Sequence, residues 1–187
     1  MKKLLLFSLF TLGILVGNIE AQDADTDPNL AYFTDVELVN QHGETLRFYS
    51  DLLQGKTVLI NVFFTECTGI CPAMNTTISS LQNSVEGLGD SVHFISITVD
   101  RENDTVEKLR EYAQKYNAQP GWHFLTGEKE NLEFILRKIG AYVENRDEHN
   151  SIFVIGNLRT GLWKKGNGLA PISEIRAVLE SVINDQG

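Results

Sequence analysis

The chain has 187 residues, 16 of them basic and 25 acidic, for a formal net charge of −9 at neutral pH. That is the length of one domain with a single core. Acidity without a basic stripe or Lys/Arg cluster argues against nucleic acid as a ligand and otherwise suits a soluble surface.

The first residues set the compartment. Lys2 and Lys3 precede an apolar run from 4 to 17, broken by Ser8 and Thr11, and a polar stretch ends in the small residue Ala21. This is the pattern of a secretory signal peptide over 1–21. The run is short against the roughly 20 apolar residues of a membrane span, so an uncleaved anchor is the second option. Both export the folded part, to the periplasm in free or inner-membrane-anchored form. Disulfides can form and persist there. Residues 22–30 are acidic and aperiodic, the composition of a flexible linker, and the folded domain is expected over 31–187.

Alternation over 35–40 and again over 44–48, about Gln41-His42-Gly43, predicts an N-terminal β-hairpin. Residues 57–64 form an apolar run that reads as a buried central strand. Pro72 suits a first helical turn, and Met74, Ile78, Leu81 and Val85 then recur at helical spacing. A branched, apolar stretch over 91–99 predicts a second buried strand. Asp104-Thr105-Val106-Glu107 has the form of a capping box with Asp104 as the cap. A short strand near 122–125, a helix over 128–139, strands at 151–156 and 162–165, and a closing helix over 171–183 complete the chain. Strands alternating with helices predict an α/β fold with a central sheet flanked by helices on both faces, its reactive turns at the carboxyl ends of strands.

Cys67 and Cys71 are the only cysteines, and both sit on the turn between the first central strand and its helix. A stabilising disulfide is a poor account of them. Closing a loop of about five residues contributes roughly 2 kcal/mol, against about 4.7 for a loop of a hundred. Redox exchange and metal binding remain. A helix N-terminus favours thiolate, which serves both chemistries. Three intervening residues differ from the two of ordinary thioredoxin motifs, and sulfurs at i and i+4 can converge on one ion. Two thiolates need a third donor. His42 falls in a hairpin turn, and His93 and His123 fall in strands, where structural roles suffice. His149 ends a polar loop directly before a buried strand, a position that can lie beside the cysteine turn. Met74 is in register with the core side of its helix.

Four stretches carry a family resemblance: Phe64-Thr65-Glu66-Cys67-Thr68-Gly69-Ile70-Cys71-Pro72, Val99-Asp100-Arg101-Glu102-Asn103-Asp104-Thr105, Trp122-His123-Phe124-Leu125-Thr126-Gly127, and His149-Asn150-Ser151 entering a hydrophobic strand. In these the chain resembles the Sco/SenC family of thioredoxin-fold copper proteins, which help to build the binuclear copper site of cytochrome c oxidase. It departs from the family's frequent prolines at Thr68, Arg101 and Val106. The resemblance implies a thioredoxin-like fold and a copper metallochaperone with Cys67, Cys71 and His149 as the ligands. Two thiolates and an imidazole suit Cu(I), and the imidazole also tolerates Cu(II). It makes Asp100 and Asp104 an acidic pair that supports the site or faces a partner. Implied partners are the oxidase copper-site subunit, an upstream copper donor and a thiol reductase that keeps both cysteines reduced. The rival enzyme reading is a thiol-disulfide oxidoreductase using Cys67 and Cys71 without His149. A thiol peroxidase fits only at Thr68-Gly69-Ile70-Cys71, since Phe64 stands where that pattern has proline.

Overall fold

The computed structural model describes residues 27–85, 87 and 91–187. The signal peptide or anchor expected over 1–21 lies outside them, as does most of the linker expected over 22–30. The strands are β1 (Glu37–Asn40), β2 (Thr45–Arg47), β3 (Thr57–Phe63), β4 (Val92–Thr98), β5 (Trp122–Thr126), β6 (Ile152–Asn157) and β7 (Leu162–Asn167). The helices are α1 (Pro28–Phe33), α2 (Cys71–Val85), α3 (Val106–Lys115), α4 (Lys129–Lys138) and α5 (Ile172–Ile183). The strands form one sheet in the order β2-β1-β5-β4-β3-β6-β7. β3 and β4, and β4 and β5, pair in parallel, while β6 runs antiparallel to β3, and β1 antiparallel to both β2 and β5. This is the mixed, helix-flanked sheet of the thioredoxin-like class.

Every residue of β3 is buried, because each face of the sheet is covered. Leu59 and Phe63 point into one core with Met74, Ile78 and Leu81 of α2, Leu109 and Tyr112 of α3, and Leu179 of α5. Val58, Ile60 and Val62 point into the other, with Phe33 of α1 and Leu132 and Ile135 of α4. The period-2 alternation of a strand therefore feeds two layers, and full burial of each such side chain contributes roughly 1.5–3 kcal/mol.

Two local expectations are corrected. Helix α1 begins inside the stretch read as linker, because Asp27 accepts from the Asn29 N–H, Pro28 opens the helix, and Phe33 buries itself in the second core. The cap of α3 is Thr105, whose hydroxyl accepts from the Lys108 N–H, and not Asp104. Asp104 is drawn into the interior by other partners described below.

The position of the site follows from the topology. β3 and β4 end side by side, Phe63 opposite Thr98. β6 runs the other way, with Ile60 opposite Val154 and Thr57 opposite Asn157, so the residues before Ile152 arrive at the same edge. The chain after β3, the chain after β4 and the chain before β6 meet there. Beneath them a buried polar chain joins α2 to the sheet. Trp122 Nε1 donates to Ser96 Oγ, Ser96 Oγ to Asn61 Oδ1, Asn61 Nδ2 to Asn75 Oδ1, and Asn75 Nδ2 to the Tyr112 hydroxyl.

His93 and His123 lie toward the other end of the strands, their ring centroids 5.1 Å apart. His123 Nε2 is buried without a hydrogen-bond partner among the described residues. Burial, reinforced by Lys56 and His42 against Glu44, lowers the His123 pKa from 6.5 to about 4. Between those values the unfolded chain binds a proton that the folded chain refuses, so stability falls as pH drops through that window. The drop amounts to roughly 3 kcal/mol for a shift of this size. Urea unfolding at pH 7 and pH 4 is expected to show a decline that shrinks by most of that amount in His123→Leu. An equal decline in the variant would place the titration elsewhere.

Candidate metal centre

Cys67 lies in the turn after β3, its N–H donating to the Phe64 carbonyl, and Cys71 opens α2. Cys67 is 8% exposed and Cys71 is fully buried. His149 follows a 3₁₀ turn, Arg146–Glu148, and is half-buried. Its Nε2 lies 3.1 Å from Cys71 Sγ and 3.7 Å from Cys67 Sγ. The three donor atoms all fall within 4.8 Å of one another, and both cysteines are free thiols. Phe64, Glu66, Ile70, Arg146 and His149 line a cleft of about 380 Å³ that opens onto Cys67.

The other imidazole nitrogen decides what His149 can do. Nδ1 lies 2.7 Å from the Arg146 carbonyl oxygen. A carbonyl only accepts, so the proton of the neutral ring sits on Nδ1 and the Nε2 lone pair faces the sulfurs. That lone pair can accept a hydrogen bond from the Cys71 thiol, 3.1 Å away. The same lone pair is the one a metal ion could take. Bonds of about 2.0–2.3 Å around one ion separate its donors by roughly 3.5–4 Å, close to the spacing found. Two sulfurs and an imidazole nitrogen are a soft set that suits Cu(I).

Burial is the main reason that the Cys71 thiol is pushed above its ordinary range, and Cys67 beside it adds to the effect. The expectation that the helix N-terminus favours thiolate is overruled at this residue, because desolvation of a fully buried sulfur exceeds the dipole's contribution. A bound metal ion would supply the positive charge that the dipole does not.

Asp104 is 1% exposed. It accepts from the Thr65 N–H at 3.2 Å and from the hydroxyls of Thr65 and Thr98, which ties the cysteine turn to the end of β4. Burial raises its pKa, against the lowering effect of those bonds. Asp100, 9% exposed, accepts from Asn103 Nδ2 and is ion-paired with Arg146, whose own pKa is raised by that carboxylate.

The structure thus brings Cys67, Cys71 and His149 together, and sets Asp104 against the turn two residues before Cys67. Asp100 reaches the site through Arg146. His42 is exposed on its turn. Met74 is fully buried in the core, as its register suggests. Sequence reasoning missed Arg146, Glu66 and Phe64. The signal for Arg146 was a lone arginine in an otherwise acidic loop, three residues before the histidine, while Phe64 and Glu66 lay in the cysteine motif with no role assigned.

A family model described as SCO1/SenC matches residues 24–181. The chain belongs to the SCO1/SenC family. It is 33% identical over 138 residues to the SCO1 protein homolog of Bacillus subtilis, a match that covers 70% of each chain. Among solved structures, it is 29% identical to BsSco, described as a member of the Sco family of cytochrome c oxidase assembly proteins that carries a disulfide switch. That match has a TM-score of 0.65 and covers 79% of this chain and 90% of the other. Arabidopsis thaliana ScoI, solved with copper bound, shares the fold at 21% identity and a TM-score of 0.65, over 79% of this chain and 94% of the other.

Proposed function

We propose that the protein is an exported copper metallochaperone, which takes Cu(I) on Cys67 Sγ, Cys71 Sγ and His149 Nε2 and passes it to the copper-site subunit of cytochrome c oxidase. The observation that carries this reading is the convergence of the three donors, with the His149 proton held on Nδ1 by a carbonyl. Family membership and the copper-bound relative support the choice of metal. Copper is here the cargo. Transfer proceeds by ligand exchange, each donor of the acceptor displacing one donor of this site without change in copper oxidation state. Oxidised cysteines cannot load, so a thiol reductase and an upstream copper donor complete the scheme in the periplasm. Asp104 is the carboxylate that positions the cysteine turn, and Asp100 acts on the site through Arg146.

The rival reading, a thiol-disulfide oxidoreductase, has the proximity of the two sulfurs in its favour. Against it, Cys71 is fully buried with a raised pKa, a poor attacking thiolate. Anaerobic competition titration of the reduced protein is expected to show one tight Cu(I) per chain. His149→Ala is expected to bind at least about 100-fold more weakly, beyond the 10–100-fold typical of residues that only orient a ligand. Wild-type affinity in His149→Ala, together with unimpaired disulfide exchange, would favour the oxidoreductase.

A further inference from the structure

Arg146 contacts His149 and the residues that flank the cysteine turn. Its carbonyl oxygen accepts from His149 Nδ1. Its guanidinium pairs with the nearly buried Asp100 and reaches Glu66, the neighbour of Cys67, at 3.5 Å. The same guanidinium lies 4.8 Å from the centroid of the Phe64 ring, and that ring meets the His149 imidazole edge-on at 5.3 Å. The 3₁₀ turn that carries Arg146 buries none of its three side chains. The segment before His149 therefore has no apolar anchor of its own in that turn, and its hold on the domain there runs through the Arg146 guanidinium.

We propose that Arg146 is a positioning residue for the metal centre, clasping the segment before His149 to Asp100 and to the Phe64–Glu66 turn so that Nε2 stands over both sulfurs before metal arrives. The inference rests on the reading of Cys67, Cys71 and His149 as the metal site. Asp100 is the principal partner. Glu66 is half exposed and shared with Lys108 at 3.3 Å, and exposed pairs contribute little. A pair with one nearly buried carboxylate is stronger and holds a fixed direction. Holding a ligand in place beforehand removes the cost of ordering it on binding.

The test is a double-substitution cycle on the reduced protein. Arg146→Met keeps the aliphatic stem against Phe64 and removes the ion pairs, Asp100→Asn removes the main partner, and thermal melts confirm folding. Without metal, nitrogen NMR of the His149 ring is expected to show the Nδ1–H form alone in the wild type and averaged tautomers in both variants. Anaerobic Cu(I) competition is expected to weaken about tenfold or more in Arg146→Met, with no further loss when Arg146→Met is added to His149→Ala. Unchanged ring signals in Arg146→Met and Asp100→Asn would overturn the clasp, as would an equal loss in the His149→Ala background. If His149→Ala alone binds copper like wild type, the metal-site reading fails, and the metal-free ring signals still decide whether the clasp exists.

Discussion

Cys71→Ser is expected to weaken Cu(I) binding by about a thousandfold, the largest single effect on affinity. Four-donor structural zinc sites bind with roughly 10–16 kcal/mol, so one thiolate on that scale represents about 3–4 kcal/mol, close to three decades. Serine oxygen is hard and keeps its proton near neutral pH, so it does not take the sulfur's place. Burial sharpens the loss. Cys71 is fully buried, whereas Cys67 is 8% exposed and faces the cleft. A small exogenous thiol can approach the Cys67 position and is shut out at Cys71. Cys67→Ser should therefore be partly rescued by added small thiol, and Cys71→Ser should not. Competition against a chromophoric Cu(I) chelator under nitrogen reads both effects. Cys71→Ser that binds within tenfold of wild type would mean that copper sits elsewhere.

The elements that carry the cysteines were legible because local and tertiary demands agree there. The run over 57–64 is apolar at every position but Thr57 and Asn61, and it can only be satisfied by a strand covered on both faces. Pro72 and the Met74–Ile78–Leu81 register leave little choice for α2. Local pattern showed His149 only as a histidine before a buried strand, and the family resemblance was needed to make it a ligand. What brings it to the sulfurs is the antiparallel direction of β6 against β3, which no local pattern encodes. The same limit explains the misplaced cap. Asp104 and Thr105 are both good caps one residue apart, and the choice was made by Thr65, 39 positions away. Arg146 showed only as a lone arginine in an acidic loop. Its importance comes from Asp100, Glu66 and Phe64, contributed by two other chain segments.

Asp104→Ala is expected to destabilise the fold by about 3 kcal/mol at neutral pH, the largest expected effect on stability. The substitution strips the acceptor from the Thr65 N–H and from two threonine hydroxyls. Buried donors left without a partner cost about 1–3 kcal/mol each. Part of that loss is offset because a desolvated carboxylate disappears with it. Asp104→Asn separates the two contributions, since it keeps an acceptor toward Thr65 and carries no charge. The folded pKa of Asp104 is raised above 3.8, so between 3.8 and the folded value the native state binds more protons than the unfolded chain. The contribution of the group is therefore fully present below 3.8 and falls as pH rises through the folded value. The advantage of wild type over Asp104→Asn should be larger at pH 4 than at pH 7. His123 titrates alike in both proteins and cancels from the difference. Urea unfolding of the three proteins at both pH values measures this, and an advantage that grows toward pH 7 would sink the account. Thr65 lies two residues before Cys67. A fold that survives Asp104→Ala should therefore also bind Cu(I) more weakly than its residual stability alone accounts for.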